Sequence, residues 1–293
     1  MKAIILDGKA VARTIRAALE PEISNIRAAR GTPPKLAVVT HTAEESAGAY
    51  LRAKLKAAQE TGLQAQAFPC VAGTGQSGIV RLLAQLSEDP SIDGIVVEQP
   101  LDESCDPVAV FCAIAPAKDV EGVHPLNYGR FFLAKTAAEI AASDSFPPCT
   151  VAAMIALLEE TGLQIKGKQA VVIGRSEIVG RPAAHYLSAL DATVTLCHSR
   201  TLDVAAHVRR ADIVFACLGR ARFIRGAWIK PGAAVIDAGM NRSEDGWVGD
   251  VEFDGAAESA AFITPVPGGV GPVTTAVVLG NTVLAARRRL KPR

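Results

Sequence analysis

The feature that most constrains this 293-residue chain is an alternation, kept from end to end, of short apolar runs with longer segments of helical periodicity. The apolar runs predict strands at Leu36–Thr40, Ala65–Phe68, Gly94–Val97, Ala170–Ile173, Thr193–Leu196, Ile213–Ala216, Ala234–Asp237 and Ala261–Ile263. Helices are predicted near 9–28, 44–61, 75–87, 151–162, 179–189, 203–210 and 272–289. Runs rich in Val, Ile and Ala with little polar alternation suit strands buried on both faces. Strand–helix alternation is the usual way to connect parallel strands. The expected fold class is therefore α/β. The length allows two domains. Residues 141–150, AASDSFPPCT, break the pattern with Ser, Asp and two prolines. That break predicts domains at 1–147 and 148–271. The helix at about 272–289 is expected to return to the first domain, because a long apolar helix after the final strand needs a partner. A ligand cleft is expected between the two domains.

Charge and composition remove several classes of function. The formal net charge is +1, and the one basic cluster, Arg287–Arg289 with Lys291 and Arg293, reads as the end of a solvated helix. Aromatic residues make up 5% of the chain, too few for a base-stacking surface. Neither nucleic acid nor an anionic membrane is an expected partner. No apolar stretch approaches the roughly 18 residues of a membrane span, and the N-terminal apolar run is too short for a secretory signal. Six cysteines form no Cys-x-x-Cys pair and no zinc-type spacing. No metal site is predicted, and reduced thiols point to the cytoplasm.

The clearest local motif is the strand Ala170–Ile173, then Gly174, Arg175, Ser176, Glu177, Ile178, Val179 and Gly180, where a helix opens. A buried strand, a tight glycine turn and a helix N-terminus bring backbone N–H groups up to phosphates, as in dinucleotide sites. Ser176 stands where the usual motif has its middle glycine, so the turn also reads as an ordinary strand–helix connection. The next strand sharpens the assignment. It ends in Cys197, His198, Ser199 and Arg200, whereas an NAD site places an acid there for the ribose hydroxyls. Ser199, Arg200 and Arg175 suit a 2′-phosphate. The second domain is thus expected to be Rossmann-type and NADP-binding.

Catalytic candidates fall in the first half. Tyr50 and Lys54, four apart, share one face of a predicted helix. A phenol beside an ammonium can move a proton. Taken alone, the helix reads more simply as amphipathic with a solvated lysine. Tyr-x-x-x-Lys also occurs in short-chain dehydrogenases, but there the glycine turn precedes it, and here the order is reversed. Two further segments are unusual for plain structure. One is the polar, turn-rich stretch Lys118–Arg130, whose His124 is expected to be structural. The other is Thr264–Thr274, dense in Pro and Gly, which fixes an uncommon backbone path and lets a ligand approach closely.

In this order, these segments closely resemble the bifunctional methylenetetrahydrofolate dehydrogenase/methenyltetrahydrofolate cyclohydrolase family. The resemblance runs from Leu6–Lys9 through the Tyr50/Lys54 helix, Ile92–Ile95, Pro100–Leu101, Lys118–Val120, His124–Pro125, Pro148–Thr150 and Gly174–Gly180. It continues through Asp237–Arg242 and Gly249–Val251 to Pro265–Thr274. It implies an N-terminal α/β catalytic domain, a C-terminal NADP-binding domain and a homodimer. It further implies hydride transfer from methylenetetrahydrofolate to NADP, then hydrolysis of the methenyl product. By resemblance Lys54 is the acid/base group of hydrolysis, and Tyr50 contacts the folate and positions Lys54. Glu121, Pro265, Pro267, Gly268 and Gly269 fall at substrate-binding positions. Gly174, Arg175, Ser176, Val179, Gly180, Ser199, Arg200, Gly271 and Thr274 fall at cofactor-binding ones.

The sequence departs from the family pattern at the folate end. Ala47 stands where the family has Ser, Glu98 where it has Gln, and Glu121 where it has Asp. Its Gly after the Leu36–Thr40 strand is replaced within Val39–Thr42. By resemblance, the position of Glu98 faces the catalytic lysine. A carboxylate there holds the lysine protonated, and a protonated lysine is a poor general base. The expectation is an NADP-linked dehydrogenase with weakened hydrolysis. The alternative reading is an NADP-dependent oxidoreductase acting on another iminium or pterin-like substrate.

Overall fold

The computed structural model describes residues 2–40, 45–70, 74–99, 101–244 and 246–290. The order begins β1 (Ile4–Ile5), α1 (Gly8–Ala17), α2 (Glu20–Arg30), β2 (Lys35–Thr40), α3 (Glu45–Thr61), β3 (Gln64–Pro69), α4 (Gly75–Glu88) and β4 (Gly94–Val97). Four helices follow: α5 (Pro107–Cys112), α6 (Pro125–Leu133), α7 (Ala137–Ala142) and α8 (Cys149–Glu159). Then come β5 (Gln169–Ile173), α9 (Gly180–Ala189), β6 (Thr193–Cys197), α10 (Val204–Val208), β7 (Ile213–Ala216) and β8 (Ala234–Asp237). The chain closes with β9 (Asn241–Ser243), β10 (Gly246–Val248), α11 (Phe253–Ser259), β11 (Phe262–Ile263) and α12 (Val270–Leu290). The predicted α/β class and all eight predicted strands are present.

The chain divides into two compact units. One comprises residues 1–12, 132–142 and 150–274, and the other 13–131, 143–149 and 275–293. The first is built on a six-stranded sheet in the order β1-β11-β8-β7-β5-β6, parallel throughout. Counted from β5, the five strands of the C-terminal half run 2-1-3-4-5, a doubly wound order that reverses between β5 and β7. β7 and β8 are buried along their whole length, as their unbroken apolar runs require. The first twelve residues group with this unit, not with the residues that follow them, because Ile4 and Ile5 pair with Phe262 and Ile263. A two-residue strand gives no periodic signal, so this pairing was not anticipated.

The second unit carries a three-stranded parallel sheet, β3-β2-β4. Leu36, Val38 and Val96 form its core with Ile26, Ala58 and residues Val278, Leu279, Val283 and Ala286 of the last helix. Each fully buried Val, Leu or Ile contributes about 1.5–3 kcal/mol. Asp93, fully buried at the head of β4, anchors the periphery. It accepts from both Arg30 and Arg289, tying α2 and α12 to the same strand.

The helix expected over 9–28 is two helices. Pro21 lies in the first turn of α2, where its missing N–H costs nothing, but inside a continuous helix its ring would clash with the preceding turn. The short helices α5, α6, α7 and α11 and the antiparallel β9–β10 hairpin were also not predicted. Most of them span only two or three turns, too short for periodicity to register.

Candidate active site

Lys54 lies on α3 and Glu98 immediately after β4, where its backbone N–H donates to Val39 and extends the ladder. Lys54 Nζ donates to Glu98 Oε1 at 2.5 Å. Both residues are almost fully enclosed, at 4% and 7% exposure, so solvent does not screen the pair as it would a surface ion pair. The proximity expected between these two positions is present. Tyr50 falls on α3, but its side chain lies outside the described residues, as do His41, Thr42 and Pro100 entirely.

Glu121 joins this cluster through a turn that another acid constructs. Asp119 bridges to Ile95 beside β4, and its buried carboxylate accepts four N–H groups. Oδ1 takes those of Gly122 and Val123 at 3.0 and 3.1 Å. Oδ2 takes those of His124 and of the Asn127 side chain, both at 2.8 Å. The reason for the turn-rich Lys118–Arg130 segment is thus a single carboxylate that replaces the missing backbone ladder. Lys118 donates to the carbonyls of Leu86 and Asp89. His124 has a local role as well: its Nδ1 accepts the Leu126 N–H at the start of α6.

Glu121 as a whole keeps some exposure, but its carboxyl tip is buried and Oε2 has no hydrogen-bond partner among the described residues. Burial pushes its pKa up from 4.5 to about 7. Lys54 opposes the rise, Glu98 and Asp119 add to it, and the Val97 backbone amide lowers it. Cys149, at the start of α8, lies beside it. Its N–H donates to the Glu121 carbonyl, its thiol donates to the Val120 carbonyl at 3.0 Å, and burial drives the thiol well above its ordinary range. Asn281 of α12 donates to the same carbonyl at 2.9 Å. Reasoning from the sequence missed Cys149 and Asn281 as supports of this turn. A buried cysteine and an asparagine on an apolar helix carry no local signal.

The other candidates gather on the six-stranded unit. Gly174 follows β5 with φ 122°, a conformation that disfavours any side chain, and a Cβ there would lie 2.1 Å from the Cys217 carbonyl oxygen. At Gly180 a Cβ would lie 2.1 Å from the Gly174 oxygen. These two glycines let α9 start tight against the strand end. Ser176, at the middle position of the motif, accepts from the N–H groups of Val179 and Gly180 at 3.3 Å and so shapes the turn itself. Arg175, Ser199 and Arg200 are exposed. The turn after β6 is closed by Thr201, which accepts from His198 N–H, and by His198 Nδ1, which accepts from Arg200 N–H.

Because every strand of this sheet is parallel, the loops after β5, β6 and β11 lie on one rim, at the carboxyl ends. The Pro265–Gly269 loop follows β11 and therefore belongs to that rim. Residue Gly8 approaches it so closely that a Cβ would sit 1.8 Å from the Gly269 oxygen. That contact explains the glycine in Leu6–Lys9, where Asp7 also caps α1 by accepting from Lys9 and Ala10. Gly271 and Thr274 lie in the first turns of α12, and the Thr274 hydroxyl donates back to Val270 at 3.2 Å. Two buried acids brace the same rim. Asp237 accepts from Gly239, Asp250 and Val251. Asp250 in turn accepts from Leu218, Gly219, Arg220 and Asn241. Burial raises Asp237 from 3.8 to about 7 against its three N–H donors, with the Asp250 charge adding to the rise.

These residues suit a dinucleotide phosphate. A glycine turn precedes a helix N-terminus at the point where strand order reverses, two exposed arginines and a serine stand there, and no acid follows β6. The comparisons agree. Residues 6–121 match the model of the tetrahydrofolate dehydrogenase/cyclohydrolase catalytic domain, and 148–290 match that of its NAD(P)-binding domain. The chain is 45% identical over 289 residues to Bifunctional protein FolD 2 of Myxococcus xanthus, covering 98% of this chain and 97% of that one. It is 46% identical over 289 residues to Bifunctional protein FolD of Moorella thermoacetica, covering 98% and 100%. Among solved structures, the Trypanosoma brucei methylenetetrahydrofolate dehydrogenase-cyclohydrolase, complexed with NADP and an inhibitor, superposes with a TM-score of 0.92. Its identity is 37%, over the full length of both chains. The Campylobacter jejuni FolD enzyme gives 0.91 at 35% identity, covering 98% and 99%.

Proposed function

From the premise that the chain belongs to the tetrahydrofolate dehydrogenase/cyclohydrolase family, we propose how its residues divide the work. The enzyme oxidises methylenetetrahydrofolate to methenyltetrahydrofolate with NADP and hydrolyses the product to formyltetrahydrofolate. Relatives at 43–46% identity over nearly the whole chain carry the bifunctional name, and none of this favours a different iminium substrate.

The observation that carries the assignment of the reaction centre is the enclosed Lys54–Glu98 pair. Lys54 is the acid/base group of hydrolysis. Glu98 is the residue that sets its proton affinity, and Tyr50, one helical turn before Lys54, contacts the folate. Glu121 faces the same centre and, with Pro265, Pro267, Gly268 and Gly269, binds the substrate. NADP supplies the hydride acceptor. Gly174, Ser176, Val179 and Gly180 shape the turn that receives its pyrophosphate, and Gly271 and Thr274 border it. Arg175, Ser199 and Arg200 hold the 2′-phosphate, their exposure leaving the guanidinium groups and the hydroxyl available. The folate role goes to residues 1–147 with the last helix and the cofactor role to 148–271.

A cytoplasmic homodimer is the working assembly. Six unpaired cysteines accord with a reducing compartment, and no described helix is long and apolar enough to cross a membrane. A steady-state assay with methylenetetrahydrofolate, run with NADP and NAD and following both reactions, tests the function. Sedimentation tests the dimer. Absence of folate turnover with either cofactor would overturn the assignment.

A further inference from the structure

One ammonium can neutralise one carboxylate, and the Lys54/Glu98/Glu121 cluster holds two. Lys54 takes Glu98, at 2.5 Å. Asp119, beside them, already spends its oxygens on four N–H donors. Glu121 is left with a buried oxygen that no described residue satisfies. Among the described residues, the charged and titratable groups facing it are Lys54 from α3, Glu98 at the end of β4, Asp119 in its own turn and the Cys149 thiol at the head of α8.

We propose that Glu121 is the switchable counter-charge of the site, neutral beside the uncharged methylene folate and ionised when the one-carbon unit becomes a cation. The proposal rests on the assignment of Lys54 to the one-carbon centre. Loss of hydride removes a hydrogen nucleus with two electrons to NADP and leaves the N–C–N unit as an amidinium carrying one positive charge. Lys54 and Glu98 cancel one another and offer that charge nothing. A carboxylic acid at Glu121 offers nothing either, but a carboxylate, its proton released to solvent, supplies the missing negative charge. With an amide at position 98, Lys54 and an ionised Glu121 would cancel and leave no spare charge. The second glutamate therefore makes the site selective for the cation, which favours dehydrogenation and slows attack by water on a stabilised amidinium. Burial that holds Glu121 near neutrality places this exchange in the working pH range.

The test compares KM for 5,10-methenyltetrahydrofolate and 5,10-methylenetetrahydrofolate, from initial dehydrogenase rates in both directions between about pH 5.5 and 8.5. Binding of the cation and loss of the proton are reciprocal. The methenyl KM should therefore fall with rising pH, by up to about tenfold per unit below neutrality, and level above about pH 7. The methylene KM should stay flat. Glu121→Gln should level the methenyl curve and weaken binding by about tenfold or more at pH 8. A flat methenyl curve in the unmodified enzyme, with turnover intact, overturns the proposal, whereas absent turnover with both folates overturns the functional assignment instead. A second measurement needs no variant. Rapid mixing of the unmodified enzyme with methenyltetrahydrofolate in weak indicator buffer at about pH 6.5 should release more than about half a proton per site before hydrolysis begins. No release in that burst overturns the proposal.

Discussion

Replacing Glu98 by glutamine changes one charge and almost no volume, and its consequences can be worked from the Lys54 contact. At 2.5 Å and below 10% exposure on both sides, the carboxylate makes a charge-assisted hydrogen bond that water does not compete for. Net worth for such bonds is about 1.5–3 kcal/mol, against about 0.5–1.5 kcal/mol for a neutral acceptor. The amide oxygen keeps the neutral bond and loses the difference, about 1–1.5 kcal/mol, which is about tenfold in the ratio of free amine to ammonium. Glu121 limits the gain, because without Glu98 it ionises more readily and supplies Lys54 with a more distant partner. Hydrolysis by Glu98→Gln at neutral pH should therefore rise severalfold, up to about tenfold, with its optimum displaced by up to about one unit toward lower pH. The assay is loss of methenyl absorbance across a pH series for both proteins, with dehydrogenase rates measured on the same preparations. Overlapping hydrolysis curves would refute the idea that charge pairing restrains Lys54.

Lys54→Met should abolish hydrolysis while leaving NADP affinity unchanged by titration; normal hydrolysis in the folded variant removes Lys54 from the reaction. Arg175→Ala combined with Arg200→Ala should cost NADP about 1.5–3 kcal/mol for a lost charged contact, roughly ten- to a hundredfold in Kd, and cost NAD far less. Equal losses for the two cofactors would discard these residues as phosphate ligands. Stability should also respond to pH through Glu121. Its folded pKa of about 7 lies above the ordinary 4.5, so the folded state binds more protons than the unfolded one between those values. Stability is fully kept below about pH 4.5 and falls by up to about 3 kcal/mol as pH rises through 7. Thermal unfolding of Glu121→Gln should show less of this fall. Equal pH dependence in both proteins would place the titration elsewhere, Asp237 being another buried carboxyl with a folded value of about 7.

Much of the fold was legible because its signals are local. The buried strands of parallel sheets are unbroken apolar runs, and β2, β4, β5, β7 and β8 stand where those runs predict. The glycine turn after β5 was legible for the same reason, since a positive φ and a close backbone approach leave no residue but glycine at Gly174. Glu98 was singled out only through the family resemblance, as a charge where the family has an amide. Other features depend on neighbours distant in the chain. β1 exists only because Phe262 and Ile263 are beside it. Asp119 and Asp237 look like ordinary turn acids until the N–H groups converging on them are seen. Glu121 is the clearest case. Its letter says carboxylate, but whether it carries a charge depends on how much water α3, β4 and α8 exclude and on which partner Lys54 has already taken. Periodicity and backbone sterics act over a few residues and can be read in order. Desolvation and Coulomb interactions act through space and take their values from the assembled structure.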